Sequence, residues 1–198
     1  MCNILRSRIA DRARRLCRMR LLRRFGRREE GAAAVEFALV ATPFLALLFA
    51  IIETALVFFA SQSLETAVSD SARLVMTGEA QTTDYKTGAA KPGGWNQEDY
   101  KKAVCARLSS LFDCNQLLVS AKAYDTFASA DTSSPVKDGA MTVDPDNLPY
   151  STGGPGSIVV VQLYYKWPIY VSLLSSNLAN LGSDRLLVAT SVFKNEPY

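Results

Sequence analysis

Apolar and polar positions along the chain fall into stretches of different period, and each period predicts an element. From Ala32 to Ala60 apolar residues run almost unbroken; between Phe37 and Ile52 no side chain is charged and only Thr42 is polar. A helix crossing a hydrocarbon layer of roughly 30 Å needs about 20 such residues. The run therefore predicts a transmembrane helix over 32–60. Past Ala60 the pattern becomes amphipathic: Leu64, Ala67, Val68, Ala72 and Val75 recur at helical spacing, with Glu65, Asp70 and Arg73 between them. This predicts a helical extension over 61–78 with Gly78 as its stop.

The remainder, 79–198, reads as a separate α+β head. Residues 79–95 are polar and glycine-containing, a loop. Asn96 is placed to cap a helix reaching Leu111, with Tyr100, Val104, Leu108 and Leu111 on one face. Leu117–Tyr124 alternates as a strand does. Residues 125–156, with four prolines and four glycines, predict a long exposed loop. Ser157–Trp167 is the clearest strand; Pro168 is expected to open a helix through Ile169, Leu173, Leu174, Leu178 and Leu181, ended by Gly182. A last strand spans Leu186–Phe193. The predicted fold class is α+β: a long N-terminal helix, then a three- or four-stranded antiparallel sheet with helices on one face.

Charge sharpens the reading of the first segment. The 198 residues carry 22 basic and 19 acidic side chains, a formal +3. The leader, residues 1–30, holds eleven arginines against Asp11, Glu29 and Glu30, or +8, which leaves −5 for the rest. A basic arm directly before an apolar span is the cytoplasmic flank expected from the positive-inside rule. A nucleic-acid-binding arm would carry lysines and interleaved aromatics; this one has no lysine and only Phe25. A secretory signal peptide is disfavoured as well, because the apolar run exceeds the usual 7–15 residues and continues into helical pattern.

Candidate catalysis is thin. The chain has no histidine, which removes Ser-His-Asp and Cys-His nucleophiles and any histidine-dependent metal centre. No P-loop or dinucleotide-binding glycine pattern occurs. Asp144, Asp146 and Asn147 read as turn chemistry around Pro145, since the EF-hand pattern is absent. Tyr164, Tyr165, Trp167 and Tyr170 read as core and interfacial aromatics. No cofactor and no metal is expected.

Glu36 is the most informative residue. A carboxylate just inside a spanning helix is unfavourable, and this one closes an ordered string: basic leader, Gly31, then Ala32, Ala33, Ala34 and Val35, then Glu36 and Phe37. The string resembles the cleavage site of type IV prepilin-like proteins in the form used by the tight-adherence (Flp) pilus system, where glycine and any four residues precede Glu-Tyr. The stretch from Gly31 to Arg73 resembles the TadE-like pseudopilin family, and the similarity continues weakly to the C-terminus. Phe37 stands where major Flp pilins carry tyrosine, which points to a minor component.

The resemblance implies cleavage by a prepilin peptidase between Gly31 and Ala32, with Gly31, Ala32, Glu36 and Phe37 as the processing site. It implies an assembly role for Ala32 and Glu36, and Glu53 is a weaker candidate for the same role. It also implies a pilin-like plan and a set of partners: other pilins and pseudopilins, the prepilin peptidase, the inner-membrane assembly platform and the lipid bilayer, with no nucleic acid. Cys105 and Cys114, nine residues apart, are expected to form a disulfide in a periplasmic head; Cys2 and Cys17 are expected to stay reduced in the leader. The expectation is a non-enzymatic minor pseudopilin of the inner membrane, N-terminus cytoplasmic and head periplasmic, possible in the surface pilus as well. The alternative is a single-pass anchored structural or adhesive protein that never enters a filament.

Overall fold

The computed structural model describes residues 31–133, 135–170 and 178–197. The leader expected at 1–30 lies outside the described residues. Two compact units divide the chain, Met1–Phe49 and Ala50–Tyr198. In the first, the described residues are almost wholly helical and mostly exposed. They belong to α1 (Ala32–Met76), a helix of 45 residues that continues through Pro43. Thr42 and Thr54 donate their hydroxyls to the carbonyls of Ala38 and Ala50, at 2.7 and 2.8 Å, so neither leaves a bare polar group on an apolar surface.

The second unit is organised by one face of α1. Glu53, Val57, Ala60, Leu64, Ala67, Val68, Ser71, Ala72 and Val75 are buried at the three- and four-residue spacing that keeps side chains on one stripe. All five apolar positions expected on the amphipathic extension are among them. Gly78 ends this segment with φ +83°, a left-handed conformation that favours glycine. A single turn, α2 (Glu79–Thr82), follows. The expected polar loop then folds back tightly: Thr83 bridges Ala90, and the Asp84 carboxylate accepts from the backbone N–H groups of Lys86 and Thr87. Trp95 is buried, its ring edge-on to Tyr85 at 5.1 Å.

The predicted cap holds: Asn96 accepts from the Asp99 N–H at 2.8 Å and starts α3 (Gln97–Cys105). The helix stops at Cys105, not Leu111. Arg107 and Leu108 donate to the carbonyls of Val104 and Cys105 in tight turns, which swing the chain so that Phe112 enters the core while Leu111 stays 47% exposed.

Three strands form an antiparallel sheet in the order β1 (Leu118–Tyr124), β4 (Ile158–Pro168), β5 (Asp184–Lys194). Register sets Val119 and Ala189 beside Leu163, and Ala121 beside Val161. These residues share a hydrophobic core with Leu64, Val68 and Val75 of α1 and Tyr100, Ala103 and Val104 of α3, so both helices cover one sheet face. Pro168 does not open a helix; it is the last residue of β4, paired with Asp184, a strand end where its missing N–H breaks no ladder. Leu173 and Leu174 of that expected helix lie outside the described residues, while Leu178 and Leu181 sit in turns leading to β5.

The opposite sheet face is covered by the loop expected at 125–156. This loop is largely exposed, but it carries a small hairpin of β2 (Val136–Lys137) and β3 (Ala140–Met141). Tyr150 bridges Ala121 in parallel, with the Ala121 N–H donating to Pro149 O and the Ser151 N–H to Ala121 O. The loop thereby ties off the β1 edge. It leaves a hollow of about 140 Å³ against Lys122, Asp131, Gln162 and Tyr164.

Gly94 sits at φ +59°, and a Cβ there would meet Ala80 O at 2.2 Å; Gly94→Ala should cost about 1–3 kcal/mol, read as a lower urea midpoint of the detergent-solubilised chain. Burial also raises the phenols of Tyr100 and Tyr164 to about 12, and raises that of Tyr150. The folded chain therefore keeps protons that the unfolded chain releases above about pH 10. Stability should hold below that pH and fall as pH rises toward 12, with a shallower fall in Tyr100→Phe.

Candidate functional site

The residues expected to carry function form the first turns of α1. Gly31 lies one residue before Ala32, where the helix begins. Among the described residues a Cβ at Gly31 would meet nothing within 4 Å, and its φ lies outside the left-handed region. Neither backbone conformation nor close packing requires glycine here, unlike at Gly94. Glu36 and Phe37 are exposed, Phe37 by 74%. Among the described residues the Glu36 carboxylate has no hydrogen-bond or ion-pair partner. Ala32 and Glu36 are four residues apart, one helical turn or about 6 Å of rise, so the two residues share one face of the helix.

Around them the surface is apolar. Val35, Leu39, Val40, Phe44, Leu47 and Phe49 are each more than half exposed. Such exposure of large apolar side chains is far beyond what a water-facing helix tolerates, and it suits a helix whose surroundings are lipid or other apolar helices.

Glu53 is placed differently. It is 7% exposed, and its carboxylate accepts a hydrogen bond from the backbone N–H of Tyr170, just after β4. The structure thus joins Glu53 to the head of its own chain and does not bring it together with Glu36. The sequence singles out Glu53 and Tyr170 separately but not their pairing, because a partner 117 residues away leaves no local signal.

The other candidates have structural roles. Asp144 Oδ1 accepts from the Asp146 N–H at 3.1 Å, so the Asp144–Asn147 stretch closes on itself as a turn. Tyr165 and Trp167 pack edge-on against Phe112, at 4.8 and 5.9 Å between ring centres, and Tyr165 Oη accepts from the Asp113 N–H. Tyr164 points to the opposite sheet face and donates to Gln162 Oε1 at 2.8 Å. Tyr170 alone of the four is open, 83% exposed. Cys105 and Cys114 are joined in a disulfide, with Cα atoms 5.9 Å apart, linking the end of α3 to the 3-10 turn before β1.

These features define a class: a protein with one N-terminal helix long and apolar enough to cross a membrane, followed by a small disulfide-bonded α+β head. The family model of TadE-like proteins matches residues 31–73, less than a quarter of the chain. The match begins at Gly31 and takes in Glu36, Glu53 and most of the buried face of α1, so the chain is TadE-like over its N-terminal helix. No curated protein and no solved structure matches the chain.

The disulfide generates one prediction. Its short loop contributes about 2–3 kcal/mol by the chain-entropy account. Replacing Cys105 and Cys114 by serine should lower the unfolding midpoint accordingly, and reduction of the parent chain should lower it to the same value.

Proposed function

We propose that this protein is a minor pseudopilin of the tight-adherence pilus system, anchored in the inner membrane with its head in the periplasm. The observation that carries the reading is the Gly31–Phe37 string on the first exposed turns of a TadE-like helix. A glycine without a folding reason and a carboxylate without a described partner stand five residues apart, at the spacing of a prepilin cleavage site. On this reading the arginine leader holds the N-terminus in the cytoplasm. A prepilin peptidase cuts between Gly31 and Ala32, and the chain that remains runs 32–198.

Cleavage frees an α-amine on Ala32. Within an apolar helix bundle a carboxylate needs a cationic or hydrogen-bonding partner. The Ala32 amine of a neighbouring pilin-type subunit supplies one to Glu36, and the pair sets the axial stagger between helices. Glu53 serves assembly indirectly, by holding the head to its helix. The head then initiates, caps or primes the filament, and its role is structural, without catalysis. Partners are the other pilins and pseudopilins and the inner-membrane assembly platform.

Edman sequencing of membrane-extracted protein should start at Ala32; a start at Met1 would overturn the processing step. Gly31→Leu, whose side chain meets open space, should leave the uncut precursor in the membrane. Glu36→Ala should be cut and inserted normally yet abolish surface pili. Unchanged piliation in that variant would leave only an anchored protein outside the filament.

A further inference from the structure

The turns of α1 between Ile51 and Ala60 carry two surfaces at once. Glu53, Val57 and Ala60 are buried against the head, while Ile51, Ile52, Leu56, Phe58 and Phe59 are 43–67% exposed. Large apolar side chains at this exposure need a non-aqueous neighbour. The uncharged run starts at Phe37, and a hydrocarbon layer takes up about 20 residues of helix, which places its outer limit near Leu56. Head contacts therefore begin on turns that are still apolar on their other side.

Tyr170 marks the part of the head that reaches this level. Its backbone N–H donates to Glu53, which sets residue 170 beside the turn bearing Ile52 and Leu56, and its side chain is 83% exposed. A carboxylate at this depth is costly unless it is paired, and the head supplies a donor to it. An open tyrosine combines an apolar ring with a polar hydroxyl, the combination enriched where hydrocarbon meets headgroups. We propose that the end of the head just after β4 rests in the outer lipid headgroup layer, with Tyr170 as its interfacial anchor. This rests on the membrane-anchor reading above and adds a second, independent point of contact with the bilayer.

The sheet provides an internal ruler. Tyr124 pairs with Ile158 at the start of β4, and Phe127, 59% exposed, follows shortly after. Tyr170 lies beyond the other end of this eleven-residue strand. At about 3.4 Å per residue the two aromatics are on the order of 30 Å apart, so Phe127 belongs in water if Tyr170 belongs at the lipid surface.

The test uses the full chain, disulfide intact, with Cys2 and Cys17 replaced by serine, in vesicles of phosphatidylcholine and phosphatidylglycerol. Tyr170→Cys, Phe127→Cys and Phe44→Cys each receive an environment-sensitive nitrobenzoxadiazole dye, and emission is read against lipids spin-labelled at the headgroup or deep in the acyl chain. The dye at 170 should lose emission most to the headgroup label, the dye at 44 to the deep label, and the dye at 127 to neither. If 44 is quenched and 170 behaves like 127, the interfacial contact is wrong and the anchor stands. Quenching at 127 equal to that at 170, or quenching at 170 only by the deep label, also overturns the contact. No quenching at 44 removes the anchor reading and the contact with it.

Discussion

Burial of a single stripe of α1, from Glu53 to Val75, is the constraint on which the head depends. The three strands are joined by long connections, and β4 lies between β1 and β5. What unites them is a common apolar face of Val119, Ala121, Val159, Val161, Leu163 and Ala189 that meets Leu64, Val68 and Val75 of the helix. A fully buried aliphatic side chain contributes about 1.5–3 kcal/mol, and α3 adds Tyr100, Ala103 and Val104 to the same layer. The opposite face is closed by a polar loop around a hollow. Helix α1 is therefore a structural member of the head as well as the segment long and apolar enough to cross a membrane.

The same helix separates positions chosen for folding from positions that folding leaves free. Gly94 is confined by a backbone contact and a positive φ, and Leu64 by complete burial. Gly31 meets no such requirement, and the Glu36 carboxylate finds no partner among the described residues. A residue whose identity the fold does not explain is where recognition by another protein is most economically sought. Glu53 is the instructive contrast: it has the same chemistry at a comparable apolar site, but the chain itself satisfies it through Tyr170. Two glutamates of one helix thus differ: Glu53 is bound within its own chain, and Glu36 is exposed without a partner among the described residues.

Much of the α+β plan was legible because its signals are local. Asn96 announced its cap by being a short polar acceptor before a helical pattern, Gly78 its stop by lacking a Cβ, and Ser157–Trp167 its strand by β-branched and aromatic density. The misreadings arose where a distant contact outweighed a local preference. Helical spacing continued past Cys105, but the turn toward Cys114 and the burial of Phe112 ended the helix early. Pro168 is a good helix opener in isolation, yet pairing with Asp184 claimed it for the end of β4.

The sequence by itself determined the apolar span, the charge asymmetry across Gly31, the amphipathic stripe and the processing-like string, because each depends on composition or on a period of a few residues. Only the tertiary structure decided the strand order β1–β4–β5, the folding of the 125–156 loop over the second sheet face, and the partner of Glu53. These depend on which surfaces meet after the chain has folded back over tens of residues. Hydrogen bonding and burial at that range are selected by shape complementarity, which no local pattern encodes.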